Sequence, residues 1–159
     1  MTTDYAVVPS PVGRLLIEAN DRAVTRIALT DGEARESQHP VIALCVSQLR
    51  EYFAGRRTSF DLPLAPQGTA FRQKVWQALR DIPYGGTASY GDVAKMIGIP
   101  GAMPAVGQAN HANPVIIVIP CHRVIRADGS IGGYGGGVEV KRYLLALEER
   151  VLRDKISGM

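Results

Sequence analysis

The sequence predicts an α/β (α+β) protein in two pieces: a small N-terminal antiparallel sheet with one helix, then a mostly helical C-terminal part containing a helix-turn-helix. Three observations predict it. β-rich runs at Leu15–Ile17 and Val24–Leu29 flank the turn signal Asn20-Asp21. The stretch Asp61–Gly68 carries two prolines and a glycine between two differently patterned halves. Beyond it, helix start and stop signals recur at short intervals. The expected division is residues 1–66 and 67–159.

In the first piece, Pro9, Pro11 and Gly13 punctuate the entry to the strands. A helix is expected over about Pro40 to Phe53, where Val41, Leu44, Cys45, Leu49, Tyr52 and Phe53 share one face. Gly55 is placed to end it. Cys45 falls on the apolar face and reads as a buried core thiol.

In the second piece, Thr69 is the expected cap of a helix that runs through Val75, Trp76 and Leu79 and stops before Pro83. Ser89-Tyr90-Gly91-Asp92 has the capping-box pattern and opens a short helix that Gly98 closes. After the turn Pro100-Gly101, Ala102–His111 reads as a second short helix. Two short helices across a tight turn have the outline of a helix-turn-helix, although such a pair can also pack for structural reasons alone. Asn113-Pro114 is a turn, and the apolar run Val115–Ile119 reads as a buried strand ended by Pro120. A glycine-rich loop follows, and a final helix is expected from about Val138 to Val151.

Bulk composition sets bounds. The 159 residues are 46% hydrophobic and 21% charged, which suits a globular protein with its own core. A net charge of +3 permits nucleic-acid binding without demonstrating it. The longest apolar run is too short to cross a bilayer, and the opening MTTDYAVVPS has no secretory pattern, so no membrane partner and a cytoplasmic setting are expected. Two cysteines, Cys45 and Cys121, provide neither a disulfide scaffold nor a four-cysteine zinc site.

The chemistry concentrates at Ile119-Pro120-Cys121-His122-Arg123-Val124. A thiol needs a base or nearby positive charge to react as a thiolate near neutral pH, and His122 and Arg123 could supply both. Glu148 on the final helix is a candidate to hold the histidine. The same residues could equally be a small core cysteine, a solvent-facing histidine and a surface carboxylate, and spacing alone does not separate the two readings.

The string IPCHRVI resembles the active-site signature of the O6-alkylguanine-DNA alkyltransferases. The resemblance extends over YGGTASYGDVA from Tyr84, NPVIIVIPCHRVI from Asn113, GGYGGGVEVKRYLLALE from Gly132 and SPVGRLLIEA from Ser10. It implies irreversible, one-for-one transfer of a methyl or small alkyl group from O6-alkylguanine in double-stranded DNA, and leaves the acceptance of O4-alkylthymine open. No metal and no cofactor are implied, and a monomer is expected. Cys121 would be the nucleophile, His122 its base through a bound water, and Glu148 the group orienting His122. Tyr90 would donate a hydrogen bond to the departing guanine, and Asn113 would tie the active-site turn to the helix-turn-helix. The backbone at Cys121, Val124 and Gly135, with Tyr134, would hold the base. Ser89, Ala102, Met103 and Pro104 would face DNA.

One position departs from the family pattern. The family carries arginine in the string R-A-V-G, where this chain has Pro104-Ala105-Val106-Gly107. Either Met103 and Pro104 wedge apolar surface into the base stack, or duplex flipping is weakened. The rival readings are a DNA-binding module without catalysis and a thiol hydrolase built on Cys121, His122 and Glu148. The first would not need Cys121, and the second would turn over many times.

Overall fold

A computed structural model describes residues 3–158, and the chain divides into two compact units. The first holds the chain up to Gln67 together with Pro114–Ile116, and the second holds Gly68–Asn113 with Ile117 onward.

In the first unit, β1 (Asp4–Val8), β2 (Leu15–Ala19) and β3 (Val24–Leu29) form an antiparallel sheet in that order. Alternation along β2 buries Leu15, Ile17 and Ala19. Against the sheet lies α1 (Pro40–Phe53), whose Ile42, Cys45, Leu49 and Tyr52 recur at helical spacing and are buried. His39 caps this helix by accepting from the Val41 amide through Nδ1, Pro40 stands in its first turn, and Gly55 follows the cap at φ +75°. The sequence reading passed over β1.

In the second unit, α2 (Ala70–Leu79) is capped by the Thr69 hydroxyl and buries Val75, Trp76 and Leu79. The Trp76 indole donates to the Ala109 carbonyl at 2.8 Å, which fixes α2 to α4 (Met103–His111). Between them, α3 (Tyr90–Met96) opens on the full Ser89/Asp92 capping box and is followed by Gly98 at φ +79°. The two-stranded parallel pair β4 (Ala88–Ser89) and β5 (Val124–Ile125) sets the start of α3 beside the chain that leaves Cys121–Arg123, a single 3-10 turn. The last helix, α5 (Val138–Ser157), is longer than the sequence suggests and buries Lys141, Leu144, Leu147, Glu148 and Val151.

The predicted strand over Val115–Ile119 is not formed. Val115 makes one isolated bridge to Ile27, with backbone hydrogen bonds from Ile27 to Pro114 and from Ile116 to Ile27. The chain then turns, with Ile117 at φ +74°, a conformation that a β-branched residue adopts only at a steric cost. Asn113 supplies the compensation, its side-chain amide donating to the Ile119 carbonyl at 2.7 Å and closing the turn. The run is apolar because it is mostly buried, and burial serves a turn as well as a strand.

Gly68 marks a close approach. A Cβ there would overlap the Trp76 ring, with Cζ3 at 2.7 Å. Gly68→Ala is expected to lower stability by about 1–3 kcal/mol, because the indole cannot shift without giving up its bond to Ala109. Urea unfolding followed by the emission of the single tryptophan measures this.

Candidate active site

Glu148 is the centre of the arrangement. It lies on the buried stripe of α5, is 1% exposed, and receives four hydrogen bonds. Arg123 Nε and the Gly85 amide donate to Oε1 at 2.8 and 3.2 Å. Arg123 donates a second bond to Oε2 at 3.1 Å, and His122 Nε2 lies 2.7 Å from the same oxygen. Gly85 can present its amide this closely because it sits at φ +79°, where a Cβ would also strike Leu152. Burial alone would raise the carboxyl, but the hydrogen bonds from His122 and Arg123, with the Arg123 charge, outweigh it and hold the group at about 2.

The ionised carboxylate fixes the histidine. A carboxylate is an acceptor only, so the proton of the Glu148–His122 bond belongs to Nε2. Burial lowers the pKa of His122 and keeps the ring neutral, although Glu148 works against this shift. Nδ1 is therefore left with its lone pair, buried and without a hydrogen-bond partner among the described residues. That is the state of a general base.

Arg123 forms a buried ion pair with Glu148, so its charge is spent on the carboxylate. It also donates to the Ile82 carbonyl at 2.7 Å, so it joins the 3-10 turn to α5 and to the end of the α2 region. Lys141 is fully buried one heptad before Glu148 on the same stripe, and its ammonium donates to the carbonyls of Val124 and Gly133 at 2.6 and 3.1 Å. Burial brings it down to about 8.

Cys121 starts the 3-10 turn and is 3% exposed. Burial pushes its thiol up to about 11, while Asn113, the Lys141 charge and the neighbouring Tyr134 hydroxyl pull it down. The resting group is a thiol, protected but surrounded by groups that favour its anion. Beside it opens a cavity of about 470 Å³, walled by Tyr90, Met103, Pro104, His111, Arg126 and Tyr134, with glycines at 107, 133 and 135. Burial also raises Tyr90, so its phenol keeps its proton for donation. The Tyr90 ring lies against α4 at Gly107.

The fold thus brings together Cys121, His122, Glu148, Tyr90, Asn113 and Tyr134, with Gly135 on the cavity wall. Val124 does not join the wall. It is fully buried and its carbonyl is taken by Lys141. Met103 and Pro104 are exposed at the cavity rim, while Ser89 spends its hydroxyl on capping α3, and Ala102 caps α4 without a side-chain bond. Sequence reasoning did not select Arg126, His111 or Asn110. For Asn110 a signal existed, since it shares the buried face of α4 with Val106 and Ala109 at spacings of four and one. Among the described residues, no cluster of histidine, cysteine and carboxylate side chains is arranged to hold a metal ion, and no helix is long and apolar enough to cross a membrane.

Comparison with known proteins agrees with this geometry. Residues 4–66 match the family described as 6-O-methylguanine DNA methyltransferase, ribonuclease-like domain, and residues 70–150 match 6-O-methylguanine DNA methyltransferase, DNA binding domain. A methylated-DNA–protein-cysteine methyltransferase of Mycolicibacterium paratuberculosis is 47% identical, over 92% of this chain and 93% of its own. One from Methanosarcina barkeri is 42% identical, over 94% and 99%. The crystal structure of a Mycobacterium tuberculosis OGT in complex with DNA superposes with a TM-score of 0.84 at 45% identity, covering 92% of this chain and 93% of that one.

The charge arrangement predicts how stability depends on pH. The Glu148 pKa lies below its ordinary value of 4.5 in the folded protein, so its contribution is complete above that value and is lost as pH falls toward about 2. Urea unfolding at successive pH values is expected to show a loss of roughly 3 kcal/mol across that window from this group. Glu148→Gln should flatten that part of the profile and lower stability near pH 7 by about 3–5 kcal/mol, because Arg123 is left buried without its counter-charge.

Proposed function

The chain belongs to the 6-O-methylguanine DNA methyltransferase family, and from that membership we propose that it repairs DNA by moving a methyl or small alkyl group from O6-alkylguanine onto its own Cys121. The observation that carries this reading is the buried chain His122–Glu148–Arg123, adjoining the buried Cys121 in sequence, in the unit that also holds the glycine-lined cavity and the helix-turn-helix. The alkylated atom is inaccessible inside a duplex, so the damaged nucleotide must be turned out of the stack into that cavity.

The reaction follows from the groups present. The Cys121 proton passes through a bound water to the free Nδ1 of His122, whose other nitrogen is held by Glu148. Sγ bonds to the alkyl carbon as the bond from that carbon to O6 breaks, and the electron pair leaves on guanine. Tyr90 donates a hydrogen bond to the guanine ring as this charge develops. The proton taken up by His122 passes back through water to guanine, so guanine departs neutral, His122 is regenerated and the protein keeps a thioether; each molecule reacts once. Asn113 holds the turn that presents Cys121, and Tyr134 and Gly135 flank the base. The partner is double-stranded DNA containing O6-alkylguanine, engaged by a monomer in the cytoplasm, where cysteine stays reduced.

Intact-mass and peptide mass spectrometry after mixing with an O6-methylguanine duplex test the reading. The expected result is one added methylene mass per molecule, on Cys121 and not on the buried Cys45, with Cys121→Ala inert. Unmodified protein after many turnovers would instead identify a thiol hydrolase.

Pro104 stands where the family carries its arginine, and it lies with Met103 on the exposed rim of the cavity. They present apolar surface suited to wedging into a base stack. Pro104→Arg is expected to speed transfer on duplex DNA several-fold if flipping is the slow step, and to leave single-stranded DNA unaffected. Equal rates on the duplex would show that the apolar wedge already suffices.

A further inference from the structure

Asn110 has an unanswered acceptor. It lies near the end of α4, lines the cavity beside Cys121 and is 5% exposed. Its Nδ2 donates to the Cys121 carbonyl at 3.4 Å. That bond fixes the amide, because the opposite orientation would set two oxygens against each other. Oδ1 is therefore the remaining group, fully buried, with no hydrogen-bond partner among the described residues. Buried acceptors are nearly always paired, and one left without a donor is a standing cost to the free protein. Tyr90, His111, Arg126 and Tyr134 on the same cavity wall carry side-chain donors, yet none of them hydrogen-bonds to it.

We propose that Asn110 is a specificity-determining residue whose Oδ1 accepts a hydrogen bond from a donor carried by the bound substrate. The proposal rests on the alkyl-transfer reading above and names a substrate contact within that site. An O6-alkylated guanine has no proton on N1, so its ring offers one kind of donor, the exocyclic 2-amino group. The other possible source is a hydroxyl on the alkyl group itself. Both supply the same chemistry, one N–H or O–H directed at a carbonyl oxygen. A site with a buried acceptor discriminates strongly against analogues that leave that acceptor unpaired.

Single-turnover rates with four oligonucleotides separate the sources. One pair holds O6-methylguanine and O6-methylhypoxanthine, which differ in the 2-amino group. The other holds O6-(2-hydroxyethyl)guanine and the O6-propylguanine of similar size, which differ in the hydroxyl. The wild-type protein is expected to favour the donor-bearing member of at least one pair by about tenfold or more. In Asn110→Leu, which matches the side chain in size and removes the acceptor, that ratio should fall to near one. Thermal unfolding supplies a second readout that a purely structural role would not give. Asn110→Leu should lose little stability, since removing the unpaired acceptor offsets the loss of the long bond to the Cys121 carbonyl. Ratios near one in both wild-type pairs, or a ratio unchanged in Asn110→Leu, would overturn the proposal. No transfer from O6-methylguanine by the wild type would overturn the alkyl-transfer reading instead, so the two failures are distinct.

Discussion

The second unit depends on one buried negative charge. Removing a carboxylate from water is expensive, and it survives in the interior only when its lone pairs are taken and its charge is matched. Glu148 meets both conditions through Arg123, His122 and the Gly85 amide. The donors come from two separate stretches of chain, the 3-10 turn and the Gly85 loop, so satisfying the carboxylate also fixes where both lie against α5. The 3-10 turn is pinned to α5 by Arg123 and His122, and Arg123 extends the connection to Ile82. Positioning and chemistry are consequently one problem: the bond that locates His122 also decides which of its nitrogens carries the proton.

The second charge, on Lys141, closes the other side. Its ammonium spans Val124 on the active-site turn and Gly133 on the glycine-rich loop. A lysine buried in this way tends toward its neutral form, as its pKa of about 8 shows, but near neutral pH it remains largely charged. The positive charge beside Cys121 favours the thiolate without being able to form it outright, because burial of the sulfur acts in the opposite direction. The result is a thiol that rests protonated, and in the proposed reaction His122 takes its proton at the moment of transfer.

How much of this was legible in the sequence depended on the range of the determining contact. Helix limits were read well where a local group sets them: Thr69, the Ser89/Asp92 box, Gly55 and Gly98 act within a few residues of themselves. The Cys121-His122 pair was visible through its signature. Whether His122 faces solvent or Glu148 was not, because 26 residues separate the two and only folding joins them. A usable hint did exist, since Lys141 and Glu148 are seven residues apart on an otherwise apolar stripe with Leu144 and Leu147. The mistaken strand at Val115–Ile119 shows the opposite limit. An apolar run reports burial but not dihedral angles, and here the Asn113 side chain takes a carbonyl that a strand would have given to a neighbour.

A buried thiol held near 11 seems poorly suited to a nucleophile, yet it fits a protein that reacts once. An enzyme that cycles must keep its nucleophile reactive through every turnover and must also release it from each covalent intermediate. A one-use acceptor has neither requirement. What it needs is to avoid oxidation and stray alkylation until the right carbon arrives, and thiolate character and exposure are the properties that invite both. Burial suppresses them together. Reactivity is then restored where it is wanted, because a base seated in the cavity excludes water and so strengthens the pull of the Lys141 charge and the Tyr90 hydrogen bond on the negative charge that develops during transfer. On this argument the high resting pKa and the capacity for transfer are consequences of the same burial, and the extruded base is the component that completes the site.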